Sequence, residues 1–480
     1  MKKKLLAVIL SAAMVGTMLA GCQVSTSKKD SGDSKKTEDS KDEAQDDGVA
    51  VLKDADMKDR EEITMWFWGA EPYAQEALKA NLADVYNASQ DKYQLVLEFR
   101  PSVDSDMTTA LAANQGPDIV YGSGPSFVMP LVEAGKLENM DEYSKEYGWK
   151  DKILTPYYES GTVNGNLYSL ANGVSTMGVF YNKKVLEDNS WSVPTTIEEL
   201  EGIMDQAMEK GMYASVTGNK GWQPVNENYG SLFLTHIAGP ETMYKVLTGE
   251  ESWVNDDVKA AIQKSKDWWD KGYLAGDDYV NLNFSDSLQL LADEKSPFFI
   301  GPSIAFQWAA SYFTGDKEEN LGFIPFPATK EVPDTTYTLG VACTLSINAN
   351  AKQDHKDEAA KIIDMMMNAD FTQKMAAEWP GYWGTPLKDL STINADGMGY
   401  LSSQFVDTVK NITDAVNAGN FGYYDNTFFP AAVQTRIVNI DEVWYGTSSV
   451  DDYVQSLQDE FKTDFDKGLV PPIPEPNMGK

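Results

Sequence analysis

Between Ile63 and Gly122 the chain alternates extended and helical signals in an order that few folds accept. Ile63-Thr64-Met65-Trp66-Phe67-Trp68 reads as a strand, Gly69 to Pro72 as a turn, and the stretch to about Ser89 as a helix. Tyr93 to Phe99 is a second strand, Met107 to Ala113 a helix, and Asp118-Ile119-Val120-Tyr121 a buried strand broken by Gly122-Ser123-Gly124-Pro125. Strands separated by helical crossovers build a parallel sheet covered by helices. Ligands of such sheets sit beyond the carboxyl ends of the strands, which singles out the loops after Trp68 and Tyr121.

The rest of the chain continues as α/β. Leu167 to Leu170 and Gly178 to Tyr181 are short extended runs flanking the polar stretch Asn172 to Thr176. Thr195 or Thr196 caps a helix through Lys210, with Glu198 and Glu199 placed for a capping box, and Asn255 caps Asp256 to Lys271. Leu321 to Pro327 and Thr338 to Ile347 read as strands; Lys356 to Asn368, Asp370 to Glu378, Leu401 to Ala418, Ala431 to Val443 and Val450 to Lys467 read as helices. No repeat with a period of roughly 20 to 50 residues argues for a solenoid.

The first residues carry a different message. A basic start (Lys2, Lys3, Lys4), an apolar run from Leu5 and small residues ending at Cys22 describe an export signal, too short for a membrane span. Leu19-Ala20-Gly21-Cys22 resembles the lipobox of bacterial lipoproteins, which makes Cys22 a lipidated membrane anchor and residues 1–22 the signal. Residues 23–48 are Ser, Lys, Asp and Glu with almost nothing apolar, a composition that cannot offset ordering entropy; residues 23–60 are read as a flexible tether. Without the signal about 460 residues remain, a length that favours two or more lobes.

The formal charge is −33, from 73 acidic and 40 basic residues. A basic footprint for nucleic acid is absent. Only Arg60, Arg100 and Arg436 are arginine, so bidentate clamping of carboxylate or phosphate is disfavoured and a neutral or cationic ligand is expected. Cys343 is the one cysteine besides Cys22 and reads as a buried small residue. No nucleophile elbow, phosphate loop, zinc motif or calcium loop is present; His236 reads as a helix residue and His355 as solvated in a charged helix start. Neither catalysis nor a cofactor or metal is expected.

The order of segments resembles extracellular solute-binding proteins of ABC importers, family 1, the sugar-binding type typified by maltose-binding protein. The resemblance is carried by ITMWFWGAE at 63–71, ALAANQGPDIVYG at 110–122, LVEAGKLENMDEY at 131–143 and NGNLYSLANGVSTMGVFYNKKVLE at 164–187. VPTTIEEL at 193–200, FFIGPSIAFQW at 298–308 and YWGTP at 382–386 extend it over nearly the whole mature chain. It implies a type II, two-lobed α/β fold with ligand in the cleft. The implied N-lobe is 61–173 plus 325–382 and the C-lobe 174–324 plus 383–480, with chain crossings near Gly173 to Thr176, Gly322 to Pro325 and Gly381 to Pro386. It also implies a monomeric carbohydrate receptor that closes on its ligand and serves ABC permease and ATPase subunits at the extracellular face of the membrane.

A sugar site needs aromatic platforms for C–H faces and amides, carboxylates and hydroxyls for the rim. The candidates are Trp68 and Glu71 after the first strand and Tyr121 and Ser123 after the third. In the second lobe they are Trp222, Asn226, Glu227 and Tyr229, to which Ser175 at the first crossing and Ser303 are added. Ser303 stands where many relatives carry a stacking tryptophan, so Trp308 is the substitute. Trp383, Asn426 and Phe429 complete the set. The small, uncharged Gly122 to Pro125 departs from the maltose-binding type and argues against a maltodextrin. Two other readings stay open: a secreted polysaccharide-degrading enzyme, and a receptor for a cationic solute such as a polyamine.

Overall fold

Two mixed sheets organise the chain, and what places the cleft is how the backbone passes between them. The computed structural model describes residues 48–221 and 223–476; Cys22, most of the tether and Trp222 lie outside the described residues. In chain order the strands are β1 (Ala50–Leu52), β2 (Glu61–Trp68), β3 (Tyr93–Arg100), β4 (Ile119–Gly122), β5 (Thr162–Val163), β6 (Asn166–Leu167) and β7 (Leu170–Ala171). They continue with β8 (Val174–Asn182), β9 (Phe298–Pro302), β10 (Leu321–Pro325), β11 (Tyr337–Val341), β12 (Thr344–Ile347) and β13 (Phe421–Tyr423).

The first sheet runs β1-β3-β2-β4-β12-β7. β2 pairs parallel with β3 and β4, as the alternation predicts, whereas β1, β12 and β7 run antiparallel to their neighbours. The sheet is therefore mixed rather than purely parallel. β12 arrives from the second sheet at the carboxyl end of β4, with Thr344 opposite Gly122, and must run back along it. In β2 the side chains alternate: Ile63, Met65 and Phe67 are fully buried while Thr64, Trp66 and Trp68 are half-buried, the period-two pattern of a strand between unlike layers. Arg100 stacks its guanidinium 3.7 Å over Trp66, so Trp66 serves the sheet surface and leaves Trp68 at the ligand-facing end.

The second sheet is built on β8. β9, β10 and β11 all pair antiparallel with β8, and β13 pairs parallel with β11. β9, β11 and β13 therefore point the same way, with their carboxyl ends along one edge. Helices cover both sheets, and their starts follow the local signals. Thr196 Oγ1 accepts a bond from Glu199 N–H at 3.3 Å and Glu199 accepts in return from Thr195 N–H at 2.8 Å; Asn255 Oδ1 accepts from Val258 N–H at 2.9 Å.

The backbone leaves the first sheet after Ala171 and enters the second at Val174; it returns between Val341 and Thr344. The return expected near Gly322 to Pro325 is corrected: those residues are β10, inside the second sheet. The single strand expected over Thr338 to Ile347 is likewise two strands in different sheets. At the break Asn172 N–H donates to Cys343 O at 3.0 Å and Cys343 N–H donates to Asn172 Oδ1 at 2.8 Å. Val174 N–H donates to Gly384 O at 2.7 Å, and Asn172 Nδ2 reaches Tyr382 O at 3.4 Å. Three crossing segments, at 172–174, 342–343 and 382–384, thus lie side by side. A β-carbon at Gly173 would sit 2.6 Å from Tyr382 O and 3.1 Å from Gly384 N, which is why glycine stands there.

Candidate ligand-binding site

Because β11 leads out of the second sheet at its carboxyl end and β12 enters the first beside the carboxyl end of β4, the carboxyl edges of the two sheets face each other across the crossings. The loops at these edges make the candidate cleft. On the first side they follow Trp68 and Gly122, leading into the helices Pro72–Leu78 and Pro125–Glu133. On the second they follow Pro302 and Tyr423 and are joined by the helix Pro224–Phe233.

At these loops hydrogen bonds join the sides in two groups. Tyr73 Oη donates to Gln307 O at 2.8 Å and Trp379 Nε1 donates to Gln307 Oε1 at 2.9 Å. In the other group, Ser126 Oγ donates to Phe429 O at 2.6 Å. Next to this second contact runs a groove of about 360 Å³ with Ser123, Ser126 and Phe127 on one wall and Asn426, Gln434 and Thr435 on the other. It brings together Ser123 and Asn426, two residues expected to meet ligand and separated by some 300 positions.

Behind Trp68 stands an aromatic wall. Trp379 and Tyr382 stack 4.8 Å apart, Trp68 lies 5.6 Å from Tyr382 and 6.1 Å from Trp379, and Trp383 stacks on Phe67 at 5.8 Å. Tyr121 meets Phe67 edge-on at 5.3 Å. Burial, reinforced by the Cys343 thiol, holds the Tyr121 and Tyr382 hydroxyls well above the ordinary phenol range, and burial does the same to Cys343. These groups are neutral at every physiological pH. Tyr73 is pushed up to about 12 by burial and then by the charge of Glu71. Glu71 itself is exposed at the start of the helix Pro72–Leu78.

The second side supplies carboxyls and amides. Glu227 is 8% exposed and Asp425 fully buried, and their side chains lie against each other. Burial pushes Glu227 up to about 7 against hydrogen bonds from Gln434 and Asp425. Burial, then the charge of Glu227, drives Asp425 well above the carboxylate range. No cation stands among the groups acting on either, so the pair holds a proton near neutrality. Tyr424 Oη donates to Asn228 Oδ1 at 2.6 Å. Trp68 Nε1, Asn228 Nδ2, Gln307 Nε2 and Asp425 Oδ2 are buried with no hydrogen-bond partner among the described residues. Buried polar atoms are almost always paired.

Several expected contacts have other roles. Asn226 is fully buried, donating to Val438 O at 2.6 Å and accepting from Tyr279 Oη. Tyr229 is fully buried against Phe233 and Trp268, its hydroxyl directed at Ser215 and Thr217. Ser303 Oγ accepts from Thr176 N–H at 3.2 Å within the second sheet, and Phe429 packs 5.6 Å from Trp253. Trp383 is sealed between Phe67 and Phe371, and Ser175 is paired in β8 opposite Gly340. Asn226, Tyr229, Ser303, Trp383 and Phe429 are corrected to core roles by these bonds and this packing, with Tyr229 Oη and Trp383 Nε1 buried without a hydrogen-bond partner among the described residues, and Ser175 is buried within β8. Trp308 is half-buried, edge-on to Phe284 at 5.4 Å. Trp222 and Cys22 lie outside the described residues. Trp379, Tyr382, Gln307, Asn228 and Asp425 were not singled out from the sequence; only the aromatics advertise themselves there.

The arginines are all committed elsewhere. Arg60 donates to the carbonyls of Asn87, Gln90 and Tyr93, Arg100 pairs with Glu98 and Asp106, and Arg436 with Glu442. His355 is corrected from solvated to structural. It lies 3.0 Å from both Asp118 and Glu61, with its side chain 12% exposed. His236 is fully buried, and burial lowers it to about 3. Among the described residues no cluster of histidine, cysteine and carboxylates could hold a metal, and no helix is long and apolar enough to cross a membrane.

Comparison with known proteins bears on the fold and the family. A maltotriose-binding protein of Pyrococcus abyssi is 28% identical over 150 residues, 31% of this chain and 29% of its own. A diacetylchitobiose binding protein, NgcE, of Streptomyces coelicolor is 26% identical over 133 residues, 26% of this chain and 28% of its own. The chain thus spans under a third of the length of these two relatives. Among solved structures, a chitin oligosaccharide binding protein superposes with a TM-score of 0.70 at 19% identity, covering 84% of this chain and 99% of that one. The solute receptor AcbH, described as preferring β-D-galactopyranose, superposes at 0.69 with 14% identity over 85% of this chain and all of that one. At such identities the superpositions establish the fold, a two-lobed α/β architecture. The relatives are binding proteins rather than enzymes. Residues 81–398 match the family model of the bacterial extracellular solute-binding proteins, and the chain belongs to that family.

Proposed function

We propose that the protein is a lipid-anchored receptor that captures a neutral carbohydrate, an oligosaccharide, by closing two lobes on it and delivers it to an ABC permease driven by an ATPase. The first lobe would comprise residues 48–171 plus 344–382 and the second 174–341 plus 383–476, pivoting on the three adjacent crossings; the tether expected over residues 23–60 is thereby shortened, because Ala50–Leu52 is paired with β3 in the first sheet. Anchoring would run through Cys22 at the extracellular face, with the protein acting as a monomer.

The observation that carries this reading is chemical. One side supplies indole and phenol rings (Trp68, Trp379, Tyr382) and the other two amides and an acid (Asn228, Gln307, Asp425), each with one buried polar atom lacking a partner among the described residues, while every arginine is engaged elsewhere. A guest with apolar faces and many hydroxyls satisfies both sides; an anion satisfies neither. Cleft ligation by both lobes is also what closure demands, since a ligand shifts the equilibrium only through its preference for the closed state.

A thermal-shift screen over gluco-, xylo-, chito- and galacto-oligosaccharides tests it, because ligand raises the midpoint by mass action. Sugars should be recovered unchanged. A screen answered only by polyamines or peptides overturns the carbohydrate reading, and sugar cleavage overturns the receptor reading. One observation favours a second reading: the Glu227–Asp425 pair lacks a cation, which would suit a basic solute such as a polyamine or an amino sugar.

A further inference from the structure

The second lobe carries an aromatic cluster that shares no residue with the groove between the lobes. The helix Asp256–Asp270 ends in Trp269, whose ring stacks on Trp444 at 5.9 Å and 13°. Tyr279 abuts both rings edge-on, 5.0 Å from Trp269 and 5.8 Å from Trp444, and Tyr445 stands nearly perpendicular to Trp269 at 5.2 Å and 82°. Trp444 and Tyr279 are buried and tied down, Trp444 Nε1 donating to Ser265 Oγ at 2.9 Å and Tyr279 Oη to Asn226 Oδ1. Tyr445, by contrast, is 51% exposed.

A depression of about 400 Å³ is lined by Trp269, Asp270, Lys271, Gly272, Leu274, Gly276 and Asp277; Tyr445 stands outside this lining, in edge contact with Trp269. Packing alone does not require this arrangement. A tyrosine at the end of a short helix that needs only a polar cap would do as well as serine or lysine. Here two rings reach the surface on a rigid bed of two more, so presenting them to a guest costs little side-chain entropy.

We infer that the Trp269–Tyr445 platform is a second carbohydrate-binding site, which holds a segment of neutral polysaccharide or long oligosaccharide on the outer surface of the second lobe. The chemistry selects that guest. Ring faces take C–H surfaces, while Asp270, Asp277 and Lys271 on the rim offer acceptors and donors to hydroxyls. Asp270 is already neutralised by Lys266 at 2.7 Å, so the rim does not demand a charged ligand. A net charge of −33 repels polyanions. The site would retain the receptor near long glycans while the cleft samples their free ends.

The test is native affinity electrophoresis of the whole protein through gels containing xylan, mixed-linkage β-glucan, galactomannan or soluble starch. Tyr445→Ala and Asp277→Asn are compared with Trp68→Ala, which disables the cleft. Far-ultraviolet circular dichroism checks that each variant is folded; Tyr445, being half exposed, can be truncated without opening the core. At least one polysaccharide should retard the wild type and the Trp68→Ala variant equally, and Tyr445→Ala should weaken that retardation about fivefold or more. The inference is overturned if no polysaccharide retards the protein, or if retardation disappears with Trp68→Ala and survives Tyr445→Ala. It is equally overturned if Tyr445→Ala instead abolishes a concentration-dependent dimer in sedimentation, which would make the patch a self-association face. Each outcome leaves the oligosaccharide screen of the cleft free to succeed or fail by itself.

Discussion

Replacing His355 by alanine removes the one side chain that ties the helix Gln353–Met366 to both β2 and the segment leading into β4. Its imidazole lies 3.0 Å from Asp118 Oδ1 and 3.0 Å from Glu61 Oε1, and Asp118 is braced further by Thr64, whose N–H and hydroxyl donate to it at 2.8 and 3.0 Å. Burial opposes protonation of the ring, but the bonds to Glu61 and Asp118 outweigh it and hold the pKa above 6.5. A base whose folded pKa is raised contributes stability that is fully present below the unfolded value of 6.5 and is lost as pH rises through the folded value. Charge-assisted bonds contribute about 1.5–3 kcal/mol each when sheltered. Glu61 is open to solvent and already shared with Lys352 at 2.6 Å, so its bond is screened and none of the energy is assigned to it, while the sheltered bond to Asp118 should contribute about 2 kcal/mol. Urea unfolding of wild type and His355→Ala at pH 5.5 and pH 9 should show a difference near 2 kcal/mol at the lower pH, shrinking by at least half at the higher. Using the difference between the proteins removes the titration of every other group, Glu227 included. A gap that is the same at both pH values would refute the charged bridge and leave only packing.

Glu227→Gln should stabilise the protein by about 2 kcal/mol at pH 8.5 and by little near pH 5, because the raised acid destabilises the fold only where it must ionise; denaturant titration at both pH values checks this. Gly173→Val, which drives a β-carbon to within 2.6 Å of Tyr382 O, should cost about 2–3 kcal/mol by overpacking the crossings, read as a lower thermal midpoint together with an altered radius of gyration by small-angle scattering. Trp68→Ala should leave the unliganded midpoint within a few degrees of wild type, since the ring is half-buried, yet abolish most of the ligand-induced rise in the thermal-shift screen; an undiminished rise removes Trp68 from the site.

The first sheet was legible because β2, β3 and β4 each carry their own signal: alternation in Ile63 to Trp68, a short apolar run closed by Gly122, and helices of ordinary length between them. The break at Ala342-Cys343 was not. Thr338 to Ile347 contains no residue that ends a strand by itself; the interruption comes from Asn172, 171 positions away, bonding the Cys343 amide. The second side of the site was obscured for a related reason. All ten residues of the helix Pro224–Phe233 are buried, so its pattern has no polar face to reveal which side meets ligand, and Tyr229, the residue most like a contact, packs against Phe233 and Trp268. Near the tail, Phe421, Tyr423, Phe428 and Phe429 are core, and the informative residue among them is the charged one, Asp425.

The polar atoms left without partners explain how such a cleft can stay responsive. An unsatisfied buried donor or acceptor costs about 1–3 kcal/mol, and Trp68 Nε1, Asn228 Nδ2, Gln307 Nε2 and Asp425 Oδ2 all stand in that condition. Among the hydrogen bonds that bridge the two sides at the facing loops are those of Tyr73 and Trp379 to Gln307 and of Ser126 to the Phe429 carbonyl. Each such bond contributes about 1 kcal/mol in net terms, no more than one desolvated atom costs. On the proposed reading those unpartnered atoms weaken the empty closed form, and hydroxyls that complete all four favour the filled one. A protein that instead paired them internally would close without its guest, and closure would then carry no information to a permease.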